Sequence, residues 1–439
     1  MLLYLIYQSF GTVLFFLSFP FVLLFNRLQK DPLHGVGRRY GLGLRSLKTS
    51  TGGCARIWIH AASVGEVQAA RVLVAELLSR EKGIEFFLST MTRQGRAVAG
   101  RQMPSGVTCF LAPLDVPVVV RRFLAAIRPD MYVCLETELW PAMFTELNRA
   151  GIPAALLNGR MTRRSFDRYR MARGLIGRVL VNLEGLAVIS QEDGERFQAL
   201  GARKDTVRVT GNIKYDYPAE DVDDIRMMHR ALLRAGEQTV FICGSTRTGE
   251  EDILIPVFKA LRKEWSGEIL LVIAPRHLER LKDVQEILAG FRLDHDLYSN
   301  LKEGDRKRPV VLVDTMGDLG QLYSAGDLNF VGGSLVNKRG HNIMEAARWG
   351  RPVYYGPSID DFSDAAGILE NEGGAFRVAD GDELAALLVH HLRNRKIYEQ
   401  ACLNAVRAVS LQRGAAGRQA EMVLNLLPGR AQIQRENNP

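Results

Sequence analysis

The chain has 439 residues, of which 47% are hydrophobic and 24% charged. That balance is globular and excludes long disorder, collagen-like repeats and a small disulfide scaffold, while the length suggests two or three domains. Lys and Arg number 57 against 49 Asp and Glu, a net charge of +8, which suits an anionic partner such as nucleic acid, a nucleotide, a phosphorylated lipid or an anionic membrane.

The first element is a run without charge from Met1 to Asn26, dense in Leu, Phe, Val and Tyr. A spanning helix needs about 20 mostly apolar residues, so the run is long enough. A cleaved signal peptide would start with positive charge and end at a small-residue site, and Ser18-Phe19-Pro20 is not one. Arg27, Lys30, Arg38, Arg39, Arg45 and Lys48 follow, opposed only by Asp31. The positive flank places the rest of the chain in the cytoplasm. Pro20 predicts a kink, so a helix lying partly in the interface is the alternative to a spanning one.

After residue 50, short apolar runs alternate with amphipathic stretches. Strands are expected at Ile57–Ala61, Ile84–Ser89, Val107–Leu111, Met131–Leu135, Ile152–Leu157 and Leu186–Ile189, with helices such as Val67–Leu78 and Val116–Ile127 between them. The pattern resumes at Thr239–Cys243, Ile269–Ala274, Val310–Val313, Leu328–Val331 and Val353–Tyr355. This is the βαβ rhythm of parallel sheets covered on both faces. Tyr215-Asp216-Tyr217-Pro218 and the acidic stretch to Asp224 read as a linker. The expected organisation is an anchor at 1–26, an α/β domain at 27–217, a second at 218–428 closed by helices from about Asp382 to Leu427, and a polar tail at 429–439. Cys54, Cys109, Cys134, Cys243 and Cys402 are scattered without C-x-x-C spacing. They read as buried hydrophobes in a reducing compartment, and no Cys/His metal cluster is evident.

In parallel sheets ligands bind outside the carboxyl ends of the strands, so the turns after strands carry the interest. His60-Ala61-Ala62-Ser63-Val64-Gly65-Glu66 reads locally as a capping box, Ser63 with Glu66 three residues on. It also places Glu66 where a general base would sit. Glu136 and Glu138 follow the next buried strand. They suit a helix N-terminus, and alternate residues of an extended strand would share a face. Arg160, Arg163, Arg164, Arg168, Arg170, Arg173 and Arg178 are opposed only by Asp167. They read either as a solvated helix face or as a surface for phosphates and anionic lipid.

No G-x-G-x-x-G or G-x-x-x-x-G-K-[ST] motif is present. Gly244-Ser245-Thr246-Arg247-Thr248-Gly249-Glu250 follows a strand but ends in Glu where a P-loop needs Lys. Pro275-Arg276-His277, Asp314-Thr315-Met316-Gly317-Asp318 and Gly332-Gly333-Ser334-Leu335 end three further strands. A helix opening at His341-Asn342 would aim N–H groups at an anion. Together these turns suggest a nucleotide pocket.

At these residues the sequence resembles the transferases of 3-deoxy-D-manno-octulosonic acid (Kdo) in lipopolysaccharide synthesis, which move Kdo from CMP-Kdo onto a lipid A precursor. The resemblance rests on the anchor, Ser63-Val64-Gly65-Glu66, Glu136-Thr137-Glu138-Leu139-Trp140-Pro141, Thr210-Gly211-Asn212-Ile213-Lys214-Tyr215-Asp216, Pro275-Arg276-His277, Asp314–Gly317, Phe330–Leu335 and Gly340-His341-Asn342 with Glu345. It implies a GT-B glycosyltransferase: two Rossmann-like domains with parallel sheets facing across a cleft, the lipid acceptor meeting the N-terminal domain and CMP-Kdo the C-terminal one. Glu66 would be the base, and Glu136 and Lys214 would stabilise the transition state. CMP would lie against Pro275, Arg276, Met316, Gly317, Asp318, Asn342, Ile343, Met344 and Glu345. Ser63, Gly65, Glu138, Gly340 and His341 would support the site. Arg160, Arg163, Arg164 and Arg168 would face the lipid. No cofactor or metal is implied. The expected partners are CMP-Kdo, a phosphorylated lipid A precursor and the cytoplasmic face of the inner membrane, not nucleic acid. Two positions depart from the pattern: Lys338-Arg339 where a Gly often precedes Gly340, and Asp361 where Asn is usual. A GT-B transferase of a UDP-sugar and a membrane-anchored nucleic-acid binder are the alternatives.

Overall fold

A computed structural model describes residues 2–28, 36–44, 47, 54–217, 221–302 and 304–428. Lys30, Asp31, Arg45, Lys48, the side chain of Arg27, the linker residues 218–220 and the tail 429–439 lie outside the described residues.

The chain divides into two units, Met1–Asp216 with Gly414–Pro439, and Tyr217–Arg413. The first holds a seven-stranded sheet in the order β3-β2-β1-β4-β5-β6-β7. Its strands are β1 (Ala55–His60), β2 (Ile84–Thr90), β3 (Thr108–Leu111), β4 (Met131–Leu135), β5 (Ala154–Gly159), β6 (Gly185–Val188) and β7 (Val207–Val209). The second holds another seven-stranded sheet, β10-β11-β9-β8-β12-β13-β14. It comprises β8 (Thr239–Thr246), β9 (Ile269–Pro275), β10 (His295–Leu297), β11 (Val310–Leu312), β12 (Leu328–Val331), β13 (Val353–Tyr355) and β14 (Ala375–Arg377). Every pairing is parallel.

Alternating residues of the first sheet feed two cores. Trp58, Phe87, Tyr132 and Leu156 pack on one face, and Ile57, Ile59, Phe86, Leu88 and Val133 on the other. Both faces are covered, which is why these strands read as unbroken apolar runs. β7, β10 and β14 have no such run, because each is a three-residue edge strand that is only partly buried.

In both sheets the strand order reverses beside the first strand. β1 lies between β2 and β4, and β8 between β9 and β12. Such reversals open the crevice where α/β proteins bind ligands. The turns after β1 and β4, and after β8 and β12, are therefore the places to look.

The sequence assigns the helices from about Asp382 to Leu427 to the second domain. The last one, Ala415–Leu426, instead belongs to the first unit. Ala416, Ala420, Val423 and Leu424 are buried in the same core as Val67, Ala70 and Leu73 of the Val64–Arg80 helix. Its 3.6-residue periodicity requires an apolar partner but does not name one.

The N-terminal helix, Leu2–Leu28, continues through Pro20. One side is docked on the first unit. Tyr7 Oη donates to Asp115 Oδ2 at 2.8 Å, and Phe15 is buried and stacks on Tyr40 with ring centroids 5.4 Å apart. The other side exposes Phe10, Phe16, Leu17 and Phe21. Two members of the expected positive flank are structural. Arg38 is buried, and Arg39 Nε donates to the Ala112 carbonyl at 3.0 Å.

Candidate functional site

β1 ends at His60, and Ser63 caps the helix that follows, accepting from Glu66 N at 3.3 Å. The Glu66 carboxylate folds back over this turn. Oε2 accepts from the Ala62 N–H at 2.8 Å and Oε1 from the Ser63 hydroxyl at 2.8 Å. The capping box thus forms with Ala62 in place of the Ser63 N–H. Glu66 is only 6% exposed. Burial, and then the charge of Glu136, raise its pKa to about 7, although the bonds from Ala62 and Ser63 pull it down. Capping therefore does not hold its pKa in the ordinary carboxylate range. Desolvation outweighs the two hydrogen bonds, and the carboxyl titrates near neutral pH.

β4 ends at Leu135, and Glu136 takes a left-handed φ of 58° while its N–H donates to the Leu157 carbonyl at 2.8 Å. The extended geometry expected across Glu136–Glu138 is therefore absent, because the left-handed residue breaks the strand. Glu136 instead pairs with Lys214 Nζ. Glu138 stands nearby, and its own pKa is raised by burial and by Glu136. Lys214 sits in a short 3-10 turn, Ile213–Tyr215, capped by Asn212 Oδ1, which accepts from Lys214 N at 3.0 Å. A Cβ on Gly65 would lie 3.6 Å from Lys214 Nζ. The fold thus brings together Ser63, Gly65, Glu66, Glu136, Glu138 and Lys214 from three separate segments.

Of the arginine cluster, all but Arg160 lie on two short helices, Arg163–Met171 and Arg173–Val181. Arg163, Arg164 and Arg168 are exposed, while Arg160 is half-buried. Phe166 and Tyr169 pack on the core behind them. Tyr169 Oη donates to the Thr137 carbonyl at 3.3 Å, and the Thr137 hydroxyl donates to the Arg160 carbonyl. The basic surface is thereby tied to the turn that carries Glu136.

In the second unit, the Glu that disqualifies the first turn as a P-loop has its own task. Glu250 is fully buried. Its carboxylate accepts from the N–H groups of Arg247 at 2.8 Å, Gly333 at 2.6 Å, Ser334 at 3.0 Å and Leu335 at 3.0 Å. It staples the turn after β8 to the turn after β12. A Cβ at Gly332 would lie 2.6 Å from the Ser245 carbonyl, so only glycine permits this approach.

Above that staple lies a residue that sequence reasoning missed. Arg247 Nε donates to His341 Nε2 at 3.3 Å, and a second Arg247 nitrogen meets His277 Nε2 at 2.6 Å. Burial and the cations around it hold the His341 pKa down at about 4, so the ring is neutral and accepts. Among the described residues no carboxylate forms an ion pair with Arg247. Arg276 extends from the end of β9, its backbone N–H bonded to the Thr246 carbonyl at 3.0 Å. The signal for Arg247 was its place in the turn after β8.

The other expected donor residues divide into two groups. Met316 is 64% exposed, and Gly317 takes a left-handed φ of 95° with open space at its Cβ position. Asp318 accepts from the Thr315 hydroxyl. Asn342 Nδ2 donates to Tyr217 Oη at 3.2 Å, and burial raises the pKa of Glu345. Pro275, Ile343 and Met344 are buried, so any ligand would meet their backbone rather than their side chains. The helix expected to open at His341-Asn342 is one turn, Met344–Ala347. Gly350 in a left-handed conformation and Pro352 beyond it stop it, so it offers no long dipole. Gly340 is also left-handed, and a Cβ there would collide with Ile359.

The two departures from the family pattern meet each other. Arg339 pairs with Asp361 at 2.7 Å, and its N–H donates to Ser358 Oγ at 2.9 Å. Among the described residues, no group of three or more His, Cys, Asp and Glu side chains is placed to hold a metal ion.

Residues 34–217 match the family model of the 3-deoxy-D-manno-octulosonic-acid transferases (kdotransferases). A 3-deoxy-D-manno-octulosonic acid transferase of Haemophilus influenzae is 30% identical over 428 residues, covering 95% of this chain and 98% of that protein. A bifunctional glycosyltransferase/methyltransferase of Fusobacterium nucleatum is 34% identical over 331 residues, covering 74% of this chain and 51% of its own length. The UDP-GlcNAc 2-epimerase of Neisseria meningitidis, solved with UDP-GlcNAc bound, aligns over 84% of this chain and 100% of its own with a TM-score of 0.59 and 12% identity, a likeness of fold alone. The chain is therefore a glycosyltransferase and belongs to the Kdo transferase family.

Proposed function

We propose that the protein transfers Kdo from CMP-Kdo to a hydroxyl of the phosphorylated lipid A precursor, lipid IVA, with inversion at the anomeric carbon. The observation that carries this reading is Glu66: a buried carboxylate at a topological switch point, with a pKa of about 7, beside an ion-paired Glu136 and Lys214. In this reading Glu66 takes the proton of the attacking glucosamine hydroxyl. A new carbon–oxygen bond forms on one face of the sugar while the bond to the CMP phosphate breaks on the other, and CMP departs with the electron pair. One displacement inverts the centre. Glu136 and Lys214 are assigned to stabilising the charge that develops.

The donor is assigned to the second unit. Arg276 and Arg247 supply cations for its phosphate and carboxylate. Met316, Gly317, Asp318, Asn342 and Glu345 supply contacts to the nucleoside, and Pro275, Ile343 and Met344 supply backbone. The reaction is written without a metal or cofactor. The exposed apolar side of the N-terminal helix and Arg163, Arg164 and Arg168 are assigned to the cytoplasmic face of the inner membrane. Arg160 is assigned to holding the turn behind them.

Purified protein, CMP-Kdo and a tetra-acylated lipid precursor should give a lipid heavier by Kdo in mass spectrometry. Glu66→Gln should lose ~10²–10⁴-fold in turnover while CMP still raises its melting temperature. Substantial transfer by that variant overturns the base assignment. Stabilisation by UDP in place of CMP overturns the donor.

A further inference from the structure

The helix that returns from the end of the chain to the first unit carries one fully buried polar side chain, Gln419. Both polar atoms of its amide are paired. Oε1 accepts from the Asn158 N–H at 3.1 Å, and Nε2 donates to Thr210 Oγ1 at 2.9 Å and to the Gly211 carbonyl at 3.1 Å. A buried Gln among Ala416, Ala420 and Val423 is costly unless every group is paired, and here the partners belong to two loops of the site.

Those loops lead to Lys214. Asn158 takes a left-handed φ of 54°, and its Oδ1 accepts from the Ile213 N–H at 2.9 Å. Asn158 follows Leu157, whose carbonyl receives the Glu136 N–H. Gly211 is followed by Asn212, which caps Lys214. The same helix clamps the far end of this segment, since Asp216 accepts from Gly414 N at 2.9 Å and from Ala416 N at 2.7 Å. Arg418 Nε donates to the Thr210 carbonyl at 3.0 Å. Residues 210–216 carry Lys214 between two anchors that both come from the chain's last helix.

We infer that Gln419 is a positioning residue for transfer: by joining Asn158 to Thr210 and Gly211 it fixes Lys214 against Glu136 and beside the Glu66 turn. The inference rests on the proposed roles of Lys214 and Glu66. Gln419 touches no reacting atom. Its effect should therefore appear in turnover and should vanish once Lys214 is gone.

The test compares Gln419→Leu, Lys214→Ala and the double variant in full-length protein, reading kcat and the KM for CMP-Kdo. Gln419→Leu should lower kcat about 10-fold or more and leave the donor KM within about 2-fold, with a cooperative melting transition. In the Lys214→Ala background it should change kcat by less than about 2-fold. An equal loss in both backgrounds, or full activity of Gln419→Leu, overturns the inference. Full activity of Lys214→Ala instead overturns the catalytic reading beneath it. Should Gln419→Leu fail to fold, Thr210→Val, which removes one acceptor, carries the same expectations, and Thr210→Ser should restore kcat. Wild-type kcat in Thr210→Val would then overturn the inference.

Discussion

Just after its first strand each unit buries a glutamate that bonds turn backbone, Glu66 in the first and Glu250 in the second, where the neighbouring Glu251 is also buried but pairs with Arg280. Glu66 receives one backbone N–H and one hydroxyl, and its carboxyl titrates at about 7. Glu250 receives four backbone N–H groups, which oppose the rise that burial imposes on its pKa. Both stand where the strand order reverses. Burial is common to them. Burial leaves the pKa of both raised, and what differs is the number of donors that bond the charged form and pull against that rise. The first glutamate is left able to exchange a proton. The second is committed to joining two loops.

The contrast can be broken by exchanging each carboxylate for an amide. Glu66→Gln keeps an acceptor for Ala62 and gains a donor for Ser63, so it should remain folded while transfer falls ~10²–10⁴-fold. Glu250→Gln points an NH2 group at backbone N–H donors. It should cost about 2–4 kcal/mol, from one or two buried donors left unpaired, seen as a lower melting temperature. A Glu250→Gln protein of wild-type stability would show that the staple does not hold the loops.

Proton linkage sharpens the same contrast. Burial raises the folded pKa of Glu66 to about 7 from an ordinary 4.5, so the native state binds the extra proton between those values. The stability this supplies is full below about pH 4.5 and lost as pH rises through about 7. Removing the group should therefore favour Glu66→Gln over wild type by about 3 kcal/mol more at pH 7.5 than at pH 4.5. Parallel pH-stability curves would refute the assignment. In wild type, kcat/KM should rise with pH and level off above about 7 if the deprotonated Glu66 is the active form.

Smaller effects are expected in the second unit. Arg247→Gln should raise the KM for CMP-Kdo about 10-fold and leave the melting temperature near wild type, because two imidazole rings and, among the described residues, no carboxylate hold the guanidinium. An unchanged KM would remove Arg247 from the donor site. The Arg339–Asp361 pair is exposed, so breaking it with Asp361→Ala should change donor KM by less than about 3-fold. A larger change would make that loop a determinant of donor binding.

Much of this was legible from residues alone. The parallel strands announced themselves because both faces are buried, which leaves unbroken apolar runs such as Met131–Leu135. The turn at Ser63–Glu66 was legible because capping is local. Three kinds of feature were not. Edge strands such as Val207–Val209 are too short and too exposed to leave a run. Arg247 was passed over in a turn judged only by the P-loop it failed to match. Gln419 leaves no local signal, since its partners Asn158 and Thr210 lie more than 200 positions away.

The sequence by itself determined two α/β halves, an apolar N-terminal helix and a set of chemically apt turns, because periodicity, capping and strand burial act over a few residues. Only the tertiary structure decided that Lys214 faces Glu136, that Glu66 titrates near neutral pH, and that the last helix returns to the first unit. Those outcomes depend on desolvation and on donors arriving from distant segments, and neither is set by the residues next door.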